Sequence, residues 1–309
     1  MDYGVVWTNL LILFALIAVG YVAGRCRVIS QEASKDLSSL LMKITLPATI
    51  FASFIRSYEP SLLKDAGIIL GLGFFFFLLS ALLSYLLVKP FRVAEGNRGI
   101  WMLGSTFSNT GFMGFPIVLA LFGEEGLFLA CIMNLSFNVL VFSLGVKMVC
   151  LDSQQKGGIQ WKKILVSNIN ISIVLGLFFF LTQISIPSPV MAVVNYFGGV
   201  TTPLSMFLIG LSLAKGKTSD LFRGKDAFTS TFLRLIGMPF VAWLLMRLIP
   251  FGEGSLIPGV VLVILAMPAP SVVLILAETY GGNSEMAGKE IFLSSLLCIV
   301  TIPLMLLLL

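Results

Sequence analysis

The sequence contains no histidine, and only 11% of its 309 residues are charged. Soluble globular domains average about 25% charged residues, which sets this chain apart from them. Without histidine it lacks the commonest metal ligand and the usual proton shuttle near neutral pH. Its four cysteines, Cys26, Cys131, Cys150 and Cys298, are scattered and match neither a metal-ligand spacing nor a disulfide framework. No cofactor or metal set is expected. Acidic residues are equally scarce where they would matter. In the spans drawn below, no Asp or Glu lies deep, and Glu278 falls at the inner end of the ninth. An intramembrane enzyme needs a nucleophile, an acid/base pair or a metal at bilayer depth, so catalysis is not expected. The missing carboxylate also argues against a carboxylate-based coupling site. Asn, Ser and carbonyl oxygens would remain to hold a sodium ion, so coupling to sodium or protons stays open. The N-terminus, Met1-Asp2-Tyr3-Gly4, has no basic n-region, and no small-residue cleavage pattern follows Leu10 to Val22. The first span therefore reads as retained rather than as a signal peptide.

What the chain has is apolar length. It is 58% hydrophobic, with a mean hydropathy of +1.02. Barrel strands alternate in and out, whereas these runs stay apolar for about 20 residues, so the fold class is an all-α integral membrane protein. Ten spans can be drawn, at about 7–24, 37–55, 65–88, 99–122, 126–147, 164–183, 193–214, 229–249, 257–277 and 290–309. The longest polar connector, 151–163, sits at the centre and links two five-helix halves, 1–150 and 164–309.

Basic residues set the orientation. With the N-terminus outside, the inner loops hold 16 of the 20 Lys and Arg, and the outer side keeps Arg56, Lys64 and Arg247. That bias places both termini outside and the 151–163 linker in the cytoplasm of a cell membrane. The net charge of +5 is therefore a topology signal, and no nucleic-acid partner is implied. Five helices per half force the second half to enter from the opposite side, which makes the halves inverted repeats.

Prolines mark corresponding places in the two halves. Asn109-Thr110-Gly111-Phe112-Met113-Gly114-Phe115-Pro116 interrupts the fourth span, and Pro268-Ala269-Pro270-Ser271 the ninth. Pro116 and Pro268 are 152 residues apart, close to half the chain; Pro47 and Pro203 are offset by 156. Pro116 cannot donate to Phe112, and Asn and Gly form helix poorly, so the fourth helix is expected to open between Asn109 and Pro116. Broken backbone at membrane depth is tolerated only inside protein or beside a watery cavity. Paired breaks in two halves are the sequence pointer to a transporter's binding site. The second half-helix would aim its positive end at an anion. The plainer reading has small residues that permit close packing and a simple kink at Pro116. In the fifth span, Asn134 and Asn138 share a face one turn apart and need partners, which substrate, water or another helix could supply. The candidate substrate-binding set is Asn109, Thr110, Gly111, Pro116, Asn134, Asn138, Pro268, Pro270 and Ser271. Thr45, Thr49 and Ser53 around Pro47, and Thr201, Thr202 and Ser205 around Pro203, either satisfy freed backbone groups or wall the substrate path. Lys43 lies about two turns in and either snorkels or attracts an anion in the vestibule, and Arg234 reads the same way.

These residues resemble a known family. Residues 109–116 are similar to the Asn-Thr-x-x-Met-Gly-x-Pro signature in the fourth helix of the auxin efflux carriers. Ala266-Met267-Pro268, followed by Ala277-Glu278-Thr279-Tyr280, fits that family's ninth helix. Leu46-Pro47-Ala48 and Pro203-Leu204-Ser205-Met206-Phe207 fit its second and seventh. The resemblance implies a ten-helix inverted-repeat fold shared with bile-acid sodium symporters. In it, helices 1, 2, 6 and 7 form a scaffold, and helices 3–5 and 8–10 a transport domain in which broken helices 4 and 9 cross. It implies a homodimer that moves small organic anions, such as dicarboxylates or auxin-like acids, by an elevator-like motion. Asn109 would be the crossover residue, with Pro116 and Pro268 shaping the crossing. The loop between helices 5 and 6 is about 16 residues here, which fits a prokaryotic permease. The helix-nine glutamate of sodium-bound bile-acid carriers is missing. A membrane-embedded ligand sensor and a sodium-coupled bile-acid-type symporter are the alternatives.

Overall fold

The computed structural model describes residues 3–153, 157–162, 166–215, 224–252 and 254–308, and among these it is helical with no strand. Seven helical stretches are long and apolar enough to cross a membrane: 7–25, 32–54, 60–87, 98–149, 188–214, 225–246 and 284–306. Asn168–Thr182 and Ile257–Ala266 are shorter apolar helices. The chain is a multi-pass membrane protein. Of the cations assigned to inner loops, Lys156, Lys163, Lys217 and Arg223 lie outside the described residues.

Helix α1 is Tyr3–Arg25. Helices α2 (Gln31–Leu40) and α3 (Leu46–Phe54) run through a π turn at Leu41–Thr45. Helix α4 is Pro60–Leu87 and α5 is Arg98–Thr106. A π turn at Thr110–Gly114 opens α6, Phe115–Leu140, and another at Val141–Gly145 leads into α7, Val146–Val149. Then come α8 (Asn168–Thr182), α9 (Ser188–Gly199) and α10 (Thr201–Lys215). Helices α11 (Lys225–Phe232) and α12 (Met238–Met246) flank a π turn at Leu233–Gly237. Helices α13 (Ile257–Ala266), α14 (Val272–Tyr280) and α15 (Ser284–Leu306) complete the chain.

Three of these π turns end two residues before a proline, at Pro47, Pro116 and Pro239. Proline cannot donate to the carbonyl four residues back, and its ring presses on it. Widening the preceding turn relieves both problems. Leu46, Phe115 and Met238 donate to carbonyls five residues back, at Leu41, Thr110 and Leu233. Helix therefore continues through Pro116, and the opening expected at 109–116 falls earlier. Phe107 is extended (ψ 139°), and Asn109 has ψ 72°. The second interruption starts at Met267, with ψ 151°, and ends at Ser271. Within α6, Gly123 (φ 67°, ψ −163°) breaks the helix in a region that a Cβ disfavours.

Small residues set the closest packing. Helix α1 lies along α10, where a Cβ on Gly20 would overlap the Phe207 carbonyl and one on Gly210 the Ile17 carbonyl. Such seams let helices associate through close backbone contact where no hydrophobic effect drives them together. Helix α3 packs on α8 and α9, α4 on α6, and α15 on α11, α13 and α14. The Thr49 hydroxyl stands 2.6 Å from that of Thr201 and 3.0 Å from the Gly198 carbonyl. The hydroxyls beside Pro47 and Pro203 thus link their two helices.

Two expectations about charge are corrected. The last helix starts at Ser284, not near 290, because Asn283 caps it by accepting from the Met286 N–H at 3.0 Å. Its polar first turn, with Lys289 paired to Glu285 at 2.6 Å, hides that start from a hydropathy reading. Glu290 is therefore inside the helix and fully buried, so the bundle does hold a deep carboxylate. Arg234 does not snorkel; it is also 0% exposed. Lys43 is exposed.

The α1/α10 seam predicts that Gly210→Ala lowers the thermal midpoint in detergent, with an overpacking cost of about 1–3 kcal/mol. Gly71→Ala on α4, where nothing stands within 4 Å of the added carbon, should not lower it. Equal melting of the two variants would contradict the seam.

Candidate functional site

The two interruptions meet. The Asn109 N–H donates to the Pro268 carbonyl at 2.8 Å, joining the broken segments directly. The Asn109 carboxamide oxygen turns forward and accepts from the Phe112 N–H at 3.2 Å, capping the start of the next helical stretch. Gly114 has no side chain to hold off Ile264, which closes over it.

Against this junction lies a cavity of about 280 Å³. Seven of the nine nominated residues line it: Asn109, Thr110, Gly111, Asn134, Asn138, Pro270 and Ser271. Pro116 and Pro268 do not. Pro116 sits buried in the first turn of α6, and Pro268 contributes its carbonyl to the junction. Met42, Phe112, Phe137, Phe142, Ile169, Val272 and Ile275 supply an apolar wall, and among the described residues no charged side chain reaches the lining. The cavity faces the first residues of two helical stretches, at Thr110 and at Val272. The Thr110, Phe112, Val273 and Leu274 N–H groups bond within their own turns, and each start carries the partially positive end of its helix dipole.

The polar lining residues are not equivalent. The Thr110 hydroxyl donates to the Asn134 Oδ1 at 2.5 Å. That bond orients the Asn134 amide and leaves its Nδ2, buried, with no partner among the described residues. Asn138 donates to the Asn170 Oδ1 at 2.7 Å, so its amide is spent on an interhelical bond. Of the two asparagines, Asn134 keeps the spare donor.

Behind the junction stands Arg234, on the π turn between α11 and α12. Its guanidinium donates to the Thr106 carbonyl at 2.7 Å, to the Ser105 carbonyl at 3.4 Å, and to the Leu265 carbonyl. Thr106 ends α5, and Leu265 is next to last in α13. One planar cation therefore caps the negative ends of both helices that stop at the junction. Glu290 on α15 lies close by and accepts from the Ser230 hydroxyl. A Cβ on Gly104 would overlap the Glu290 carboxylate, so the carboxylate packs directly on α5.

Sequence reading missed Arg234, Glu290 and Ser230 as site residues, yet signals existed. Ser230 and Arg234 are four apart on one face. Glu290, Ser294 and Cys298 repeat at the same spacing and form a stripe of polar or polarizable groups on an apolar helix. Ser294 uses its hydroxyl to accept from the Ala269 N–H, between the two prolines of the second interruption, at 3.1 Å.

Residues 5–306 match the model of a family described as "Membrane transport protein". An uncharacterized transporter of Methanocaldococcus jannaschii is 29% identical over 301 residues, covering 95% of this chain and 96% of that protein. One from Methanothermobacter thermautotrophicus is 23% identical, covering 96% of each. The uncharacterized transporter YfdV of Escherichia coli is 24% identical over 254 residues, 75% of each chain.

The placement of Arg234 predicts that Arg234→Ala destabilises the protein by about 3–5 kcal/mol, because it strands three carbonyls and Glu290 away from water. Arg234→Lys should recover only part of this, since an ammonium lacks the fork that reaches both helix ends. Thermal melting in detergent reads the effect; a wild-type midpoint for Arg234→Ala would contradict the capping role.

Proposed function

The chain belongs to the membrane transport protein family, that of the auxin efflux carriers, and on that premise we propose that it is a secondary transporter of small organic anions bound in the cavity at the junction. The observation that carries this reading is the buried, unpaired Asn134 Nδ2 in a cavity faced by two helix starts. A carboxylate fits that environment. It is acceptor-only, it would take the spare amide hydrogens, and it gains from the positive ends of both helices. The apolar wall of Phe112, Phe137, Phe142 and Ile169 suits the carbon body of the same molecule. At about 280 Å³ the cavity favours small acids, near the lower end of ligand pocket sizes.

The transport cycle we infer is alternating access on ten passes arranged as two inverted repeats, 1–150 and 164–309. Several observations support the count. The 52-residue helical stretch 98–149 is too long for one pass and bends at Gly123. The shorter apolar helices α8 and α13 supply further passes. Reciprocal packing supports the repeat: α1 lies on α10 as α3 lies on α8, and α4 pairs with α6 as α11 pairs with α15. In this arrangement the α1/α10 and α3/α8 pairs belong to the scaffold. The junction, with its cavity and Arg234, belongs to the moving domain and would shift as one body in an elevator-like step. The charge bias of the sequence orients both termini outward.

In proteoliposomes, labelled malonate, succinate and indole-3-acetate are suitable first cargoes. For the acids that move, Asn134→Leu should cut initial flux about tenfold or more, the loss of one hydrogen bond to a charged group. Asn109→Ala should act in the same direction. Both variants should elute and melt like a folded protein. Undiminished flux of every transported acid in Asn134→Leu would remove this cavity from the transport path.

A further inference from the structure

A buried acid one helical turn from a surface cavity, with a charged partner at the junction, has a use beyond packing. Glu290 is fully buried, and its Oε2 has no partner among the described residues; neither do Arg234 Nε and Thr231 Oγ1 beside it. On the other side, a polar cavity of about 210 Å³ opens at the starts of α11 and α15, lined by Asn97, Asp226, Asn283, Glu285, Met286 and Lys289. Met286 is one helical turn from Glu290, and Ala227 in the same lining is one turn from Ser230. This vestibule lies on the side that the positive-inside pattern assigns to the cytoplasm. Its own acids are committed elsewhere. Asp226 accepts from the Asn97 amide at 2.8 Å and the Ala94 N–H at 3.2 Å. Glu285 is paired with Lys289 at 2.6 Å.

The place where a cation would act is already filled. In transporters with broken helices, the carbonyl ends of the half-helices are where coupling sodium ions are held. Here those carbonyls, at Ser105, Thr106 and Leu265, are taken by the Arg234 guanidinium. A sodium ion there would meet a fixed positive charge.

We propose that Glu290 is the proton-carrying group of this transporter and Arg234 its fixed counter-charge, so that an organic anion at the junction and a proton on Glu290 bind together and sodium takes no part. The inference rests on the anion-transport reading given above. Ionised Glu290 offsets the Arg234 charge and opposes an incoming anion. Protonated Glu290 leaves Arg234 uncompensated behind the junction and favours the anion. By linkage the anion must in turn favour the proton. The step is a simple protonation, carboxylate plus proton to carboxylic acid, with the proton passing through the vestibule. Among the described residues Arg234 is the charged group that faces Glu290, and Lys225 is exposed at the vestibule rim. Among other groups on neighbouring elements, Arg98 pairs with Glu95 at the surface, Lys289 pairs with Glu285, Asp226 is tied to Asn97, and Glu278 is exposed.

The purified full-length protein in lipid tests this by infrared difference spectroscopy across a pH titration. A protonated-carboxyl band should titrate in wild type, vanish in Glu290→Gln, return shifted in Glu290→Asp, and move to higher pH when malonate or indole-3-acetate is added. Absence of a titrating band, or a band that neither acid moves, overturns the proposal. In proteoliposomes loaded with a pH dye, labelled acid should enter with protons in wild type and leave sodium gradients unused. Glu290→Gln should lose pH-driven accumulation and the proton entry that accompanies the acid, and pH-driven accumulation by Glu290→Gln equal to wild type overturns the proposal. Accumulation driven by sodium without proton movement also overturns it. No counterflow of any acid by wild type, alongside an acid-shifted Glu290 band, would strike down the transport reading and leave the linkage standing.

Discussion

One guanidinium closes the backbone of two helices that stop inside the protein. In hydrocarbon an unpaired carbonyl costs several kcal/mol, and a helix that ends at mid-depth exposes its last turn of carbonyls with no water to take them. Helices α5 and α13 both end buried inside the protein, and Arg234 donates to the terminal turns of each. The Asn109 N–H to Pro268 carbonyl bond and the Ser294 bond to Ala269 tie the connecting segments across the same point. With the carbonyl side closed, the helical stretches that restart at Thr110 and Val272 turn their positive ends toward the cavity. The two sides of the junction therefore differ: negative ends are capped by Arg234, and positive ends face a cavity with no charged side chain among its described lining residues.

Burying an arginine is expensive unless its charge is compensated. Here compensation comes from two sources of different kind. The carbonyl dipoles of α5 and α13 are fixed, whereas the charge on Glu290 can be removed by a proton. A junction closed by dipoles alone would have one electrostatic state; Glu290, packed on Gly104 and bonded to Ser230, gives it two. Gly104 leaves room for this contact, since a side chain at 104 would move the carboxylate off α5.

Much of this was legible in the sequence because it rests on backbone chemistry. Prolines and asparagines in apolar runs announce interruptions, so seven nominated residues reach one cavity even though the break lies upstream of its expected place. Proline position alone misled about Pro116. A π turn absorbs a lost hydrogen bond without opening the helix, and nothing in residues 110–114 distinguishes that outcome from a break. The ionic pair was illegible for a different reason. Hydropathy places a helix end where charge begins, and Glu290 follows Lys289 and Glu285, so a span drawn from about 290 puts Glu290 at its edge rather than deep inside it. Only the Asn283 cap, a local hydrogen bond, shows that the helix starts six residues earlier. Arg234 fits a snorkelling pattern as well as a buried one, and the difference depends on which neighbours need donors.

Keeping the cation out of the cavity matters for a carrier. An arginine in direct contact with a carboxylate makes a bidentate, charge-assisted pair that is strong and slow to part. A transporter must release its cargo on the other side, so binding that tight would stall the cycle. Asn134 and the two helix starts are neutral donors, each worth a modest amount, and the apolar wall adds affinity without directional bonds. In the proposed cycle Arg234, held behind the junction, acts on the anion through space and through the dipoles it caps. In that cycle its influence is graded by Glu290 rather than fixed by contact. A division between neutral donors in the cavity and a tunable charge behind it would permit one site both to hold an anion and to let it go.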